Sequence, residues 1–100
     1  MALFGTLGSV IVEGASMEPT YRNGSRLLVR WAIPNKPTVG KIYCVERDDQ
    51  PGVFYIKRLQ KSHGALHWFE GDNPTSQGSR TWGWLPSHCI RGKVLFRYWG

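Results

Sequence analysis

Short apolar runs recur along this chain, each closed by turn-forming residues, and that rhythm constrains the fold more than any other feature. The runs are SVIVE (9–13), SRLLVRW (25–31), KIYCVER (41–47), VFYIKRLQ (53–60), ALHWFEG (65–71) and RGKVLFRYW (91–99). Between them lie IPNKPTVG, DDQPG, KSHG and the much longer GDNPTSQGSRTWGWLPSH. Runs of this length, rich in β-branched and aromatic residues and punctuated by Gly, Pro, Asn and Asp, predict strands joined by hairpins. No stretch carries a convincing amphipathic helical period. The sequence therefore predicts an all-β domain, either a barrel or a folded sheet, spanning residues 1–100 as one unit. The last connection, residues 71–88, is too long for a hairpin turn, and loops of that length tend to carry function.

Charge and hydropathy narrow the function classes. The net charge of +6 permits an acidic partner, but the Lys and Arg residues are scattered rather than clustered. A basic β-barrel that stacks single-stranded nucleic acid on Trp31, Trp68, Phe69, Trp82, Trp84 and Trp99 is an alternative. Core packing explains most of those aromatics more simply, so no nucleic-acid partner is expected. Crossing a bilayer takes about 20 apolar residues. The best candidate, ALFGTLGSVIV (2–12), is about half that long, broken by Gly, Thr and Ser, and lacks the charged start of a signal peptide. Its second half reads as a first strand, and no integral membrane segment is expected.

Two cysteines, Cys44 and Cys89, are too few for a disulfide framework. Cys44 reads as a small core residue; whether the two pair is open. His63 and His67 would need a helix to converge on a metal, and Gly64 between them argues against one. His88 adjoins Cys89. Neither a metal site nor a cofactor is expected.

The segment VEGASMEPTYRNG (12–24) is unusual. Pro19 lacks an N–H and has a fixed φ, so the stretch cannot continue a helix or lie in a central strand. Gly14 gives a flexible approach and Asn23-Gly24 a turn beyond it. Ser16 is thereby displayed on a bend. By itself that is ordinary turn chemistry.

The run VFYIKRLQ supplies a possible partner. Side chains alternate along a strand, so Val53, Tyr55, Lys57 and Leu59 share one face. Lys57 then has apolar neighbours on its own side. A lysine stem can simply cover apolar surface while its ammonium reaches water. The alternative is a buried amine whose pKa falls from ~10.4 to roughly 7–8. A neutral amine beside a serine hydroxyl is a general base that activates a nucleophile.

Taken in order, GASMEPTYRNG, YIKRL and GDNPTSQGSRTWG resemble three motif blocks of the type I signal peptidases. These are Ser/Lys proteases whose β-rich catalytic fold is shared with self-cleaving SOS-repressor domains. The resemblance runs from about Val12 to the C-terminus. The small size and the ending GKVLFRYWG look closest to a soluble branch, the nickel-type superoxide dismutase maturation proteases. The resemblance implies a cytoplasmic serine endopeptidase that removes the N-terminal extension of a nickel superoxide dismutase precursor. Cleavage would expose the amino terminus that the nickel site uses as a ligand. It implies Ser16 as nucleophile, Lys57 as general base and Ser76 as the hydroxyl that orients the lysine amine. The Ser16 N–H would be an oxyanion donor. Gly71, Asp72 and Asn73 would have structural roles, and Arg80 would be a structural arginine.

Two positions depart from the pattern. Many bacterial members carry a hydroxyl residue two positions before the nucleophile, where this chain has Gly14. The usual Asp-Ser-Arg reads Gly78-Ser79-Arg80, so the carboxylate partner of the arginine is missing there. Both are compatible with slow turnover on one dedicated substrate. The alternative within the same chemistry is a signal-peptidase catalytic domain that normally carries an anchor.

Overall fold

The computed structural model describes residues 6–100. In chain order the elements are β1 (Thr6–Ile11), β2 (Arg26–Trp31), β3 (Ile42–Glu46), β4 (Phe54–His63), β5 (Leu66–Glu70), a single-turn helix α1 (Ser79–Trp82), β6 (Leu85–Pro86), a 3₁₀ turn (Ser87–Cys89) and β7 (Ile90–Trp99). The strands form one antiparallel, seven-stranded sheet in the order β1-β2-β7-β3-β4-β5-β6. It curls into a half-barrel, the all-β architecture that the runs predict.

Strand β3 shows why the sheet must curl. Four of its five residues are buried, so both of its faces are covered. Ile42 and Cys44 join a core with Val12, Met17, Leu27, Val29 and Val94. Tyr43 and Val45 point the other way, into a core with Leu59, Phe69, Leu85, Cys89 and Ile90. The continuous apolar run IYCV satisfies this two-sided burial, whereas an alternating strand would have put polar groups into one core. Cys44 and Cys89 therefore belong to different cores, and both are free thiols.

Three details differ from the sequence runs. The first strand ends at Ile11 because Val12 turns away from the ladder. Its N–H donates to the Ser25 carbonyl at 2.8 Å and its carbonyl accepts from Gly24 N–H at 2.8 Å, closing a loop over residues 13–23. The long segment 71–88 is not a plain loop, since it contains α1, β6 and the 3₁₀ turn. The aromatic end of β7 contributes nothing to either core: Phe96, Tyr98 and Trp99 are exposed. Among the described residues, no helix is long and apolar enough to cross a membrane.

Candidate active site

Ser16 sits on the loop that Val12 and Ser25 close. Its neighbour Met17 is completely buried and anchors the bend in the first core. Tyr21 N–H donates to the Met17 carbonyl at 2.9 Å and Glu18 N–H to the Ala15 carbonyl at 3.1 Å. These bonds curl the chain tightly after the serine. The Ser16 N–H itself makes no main-chain hydrogen bond among the described residues. Gly14 has φ +84°, a conformation in which a residue with a Cβ is strained, and its N–H donates to Asn23 Oδ1 at 2.9 Å. A hydroxyl side chain at position 14 is thus disfavoured by the backbone of this particular loop.

Lys57 faces the second core. The alternation read from VFYIKRLQ holds: Lys57 and Leu59 are buried on one face of β4, with Tyr55 partly buried beside them. Only 2% of Lys57 is exposed. Trp82 of α1 covers the amine, with Nζ 5.7 Å from the ring centroid, and stacks on Tyr55 at 4.7 Å. Burial lowers the Lys57 pKa from 10.5 to about 8. The indole face favours the charged amine, but desolvation outweighs it.

The chain leaving β5 brings the third group. Arg58 pairs with Glu70 and Leu59 with Phe69, so the same register carried one step further sets Gly71 across from Lys57. A Cβ on Gly71 would lie 2.3 Å from the Ser16 carbonyl oxygen and 2.2 Å from Ser76 Oγ. Glycine is required there because the Ser16 bend and the 71–77 turn are in contact through it. Asn73 locks the two together, its N–H donating to the Ser16 carbonyl at 2.9 Å and Nδ2 to the Ala15 carbonyl at 3.0 Å. Asp72 holds the back of the turn. Its carboxylate accepts two bonds from Arg58 at 2.8 Å and one from the Thr20 hydroxyl. The Arg58 guanidinium keeps the Asp72 carboxyl below its ordinary range, and Asp72 in turn raises Arg58.

Arg80 does have a carboxylate near it, which corrects the expectation drawn from position 78. Glu70 lies 3.8 Å from Arg80 Nε, and Arg80 also donates to the Pro74 carbonyl at 2.8 Å. Position 78 has no room for a side chain, because a Cβ there would lie 2.7 Å from the Phe69 carbonyl oxygen. The adjacent Ser79 accepts the Phe69 N–H at 2.8 Å, and this fixes α1 and its Trp82 against β5.

Ser16, Lys57 and Ser76 line one cleft of about 340 Å³, together with Gly14, Tyr55 and Asn73. The Ser76 hydroxyl oxygen is buried and, among the described residues, has no hydrogen-bond partner. Ser16 and Lys57 share the cleft, and among the described residues no hydrogen bond joins them. A second groove of about 280 Å³ meets the first at Glu13, Ser16 and Tyr55. It runs between Val10–Glu13 and Phe54–Ile56, two nearly extended segments.

Among the described residues, no His or Cys lines the cleft. His67 is a satisfied core residue, bonded to the Ser62 hydroxyl at 2.8 Å and the Ser87 hydroxyl at 2.7 Å. Most of the aromatics considered as stacking platforms are separately employed, whereas Trp99 is exposed at the end of β7. Phe69 is in the core, Trp31 packs edge-on against Phe54, and Trp68 packs against Trp84 with Lys61 over both rings. Sequence reasoning missed Thr20, Arg58, Glu70 and Trp82. Arg58 adjoins Lys57 on the opposite face of β4, and that placement was the available signal.

Comparison with known proteins agrees with this architecture. Residues 5–83 match the Peptidase S24-like family. The chain is also 32% identical, over 120 aligned positions, to mitochondrial inner membrane protease subunit 1 of Xenopus tropicalis, covering 96% of this chain and 72% of that protein. The chain is therefore a member of the Peptidase S24-like family, a serine peptidase of the signal-peptidase type.

Proposed function

We propose that this protein is an endopeptidase in which Ser16 is the nucleophile and Lys57 the general base. The observation that carries this reading is the cleft itself. A serine on a fixed bend, a desolvated lysine and a buried, partnerless serine hydroxyl all face the same space. Small approach movements bring Lys57 Nζ between the two hydroxyls, and catalytic hydrogen bonds often tighten only with substrate in place. Ser76 then accepts from the amine and aims its lone pair at Ser16.

In the first half-reaction, the neutral Lys57 amine takes the Ser16 proton as Oγ attacks the scissile carbonyl carbon. The Ser16 N–H donates to the oxyanion that forms. As the C–N bond breaks, the Lys57 ammonium returns the proton to the leaving amine. A water then attacks the acyl ester while Lys57 accepts its proton; the ester bond breaks and Ser16 regains a hydrogen. Because the base must be neutral, the rate should rise with pH with an apparent midpoint near 8, following the lowered Lys57 pKa. A pH–rate profile of kcat/KM checks this, and a midpoint at or above ~10.4 would show that Lys57 is not desolvated when it acts.

The groove beside Ser16 suits an extended segment, held by main-chain pairing against residues 10–13 or 54–56. We assign as substrate the N-terminal extension of a nickel-type superoxide dismutase precursor, cut in the cytoplasm at one bond so that the product begins with histidine. The resemblance of the segment GKVLFRYWG to the dismutase-maturation branch supports that choice. The second reading is processing of exported proteins at a membrane, favoured by the similarity to a mitochondrial inner membrane protease subunit. Equal concentrations of the dismutase precursor and of a secretory preprotein with a small-residue cleavage site distinguish them by intact mass. Cleavage of the precursor alone is the expected result. Cleavage of the preprotein alone would replace the maturation assignment with the signal-peptidase one.

A further inference from the structure

Away from the cleft, the turn after β3 meets the 3₁₀ turn before β7. His88 Nε2 lies 2.8 and 2.9 Å from the two Asp48 carboxylate oxygens. Cys89 follows His88 in sequence, and its sulfur completes a group in which one ligand atom each from Asp48, His88 and Cys89 lies within 4.8 Å of the others. None of the three lines the catalytic cleft.

We propose that Asp48, His88 and Cys89 bind a divalent cation of the zinc type. The donor set is one imidazole nitrogen, one thiolate and one carboxylate oxygen, which selects a borderline metal over magnesium or calcium. Ligand bonds of roughly 2.0–2.3 Å in a tetrahedron space the donor atoms by roughly 3.5 Å. The three donor atoms lie within 4.8 Å of one another, so side-chain rotation must bring them to that spacing around a cation. Asp48 and His88 are the parts free to move, with 71% and 57% of their side chains exposed, whereas Cys89 is held in the core.

Burial and the neighbouring Asp48 carboxylate raise the Cys89 pKa, so a bound cation must displace the thiol proton. One feature prepares the site. The turn carrying Asp48 is held in shape by Gly52 N–H donating to Glu46 at 2.6 Å and Gln50 N–H to the Arg47 carbonyl at 3.1 Å. The exposed side of the site leaves a fourth position for water. A bound cation would pin the β3–β4 turn to the start of β7, segments now joined across the surface by the His88–Asp48 and Arg91–Glu46 pairs.

The test uses the full chain, stripped with chelator and titrated with Zn²⁺ by calorimetry and with Co²⁺ by absorption. One equivalent should bind, and cobalt should show a thiolate charge-transfer band. A hundredfold excess of zinc over its Kd should raise Tm by about 5 °C or more. His88→Gln and Asp48→Asn, both at exposed side chains, should each weaken binding about tenfold or more. Cys89→Ser should abolish the cobalt band. No uptake by the wild type, or unchanged affinity in both exposed-site variants, overturns the proposal. Cleavage should persist in EDTA; loss of cleavage restored by zinc would contradict a site separate from the reaction.

Discussion

Ser16→Ala and Lys57→Met should each lower cleavage by about 10⁴-fold or more while leaving the β fold intact, and the double variant should be hardly worse than either. Nucleophile and base act on the same proton, so removing one leaves the other without a task. The two variants should differ in stability. A fall in pKa from 10.5 to about 8 corresponds to about 3 kcal/mol of desolvation. Below pH 8 the amine is charged in both the folded and unfolded chain, and its burial opposes folding. Above pH 10.5 it is neutral in both, and that cost is gone. Lys57→Met should therefore match or exceed the wild type in stability at pH 7, with the advantage shrinking as pH rises through 8 toward 10.5. Urea unfolding at several pH values, beside a cleavage assay, checks both parts. Substantial activity in folded Lys57→Met would remove the lysine from the mechanism.

Gly71→Ala should be the most damaging Gly→Ala substitution among the described residues. The new Cβ would fall 2.2 Å from Ser76 Oγ and 2.3 Å from the Ser16 carbonyl oxygen, so the nucleophile bend and the 71–77 turn must separate. Displacements of about 1 Å at reacting groups cost about 10²-fold in rate, and the overpacking itself costs about 1–3 kcal/mol. The control is Gly64→Ala. Unlike Gly71, Gly64 has a positive φ, and open space surrounds its Cβ position, so that variant should lose stability and keep its activity. Thermal unfolding and kcat/KM on the two proteins separate the effects. Equal activity losses in both would mean that Gly71 acts only through overall stability.

These expectations depend unequally on what the sequence reveals. The strand rhythm is local, so the all-β fold was legible from runs such as SRLLVRW and KIYCVER. The alternation in VFYIKRLQ was enough to put Lys57 on a buried face. Contacts between distant segments were not legible. Asp72 draws its partners from Thr20 and Arg58, 52 and 14 residues away, and no local pattern encodes those pairings. Trp82 read as a stacking or core aromatic, and its place over Lys57 was hidden because it requires a single helical turn, fixed by Ser79, to lie over β4. Gly78 read as a missing carboxylate, yet the carbonyl of Phe69 leaves no room for one, and Glu70 lies nearest to Arg80 instead. The Asp48–His88 pair joins residues 40 apart in sequence. That distance explains why His88 and Cys89 alone suggested no metal site.

The most direct measurement is to trap the acyl-enzyme. The enzyme is mixed with excess precursor, quenched in acid within the first turnover, digested, and mapped by mass spectrometry. The account predicts the N-terminal extension held as an ester on the peptide containing Ser16, and no such adduct in Lys57→Met. An ester on Ser76 or any other residue, or normal cleavage by folded Ser16→Ala, would contradict it.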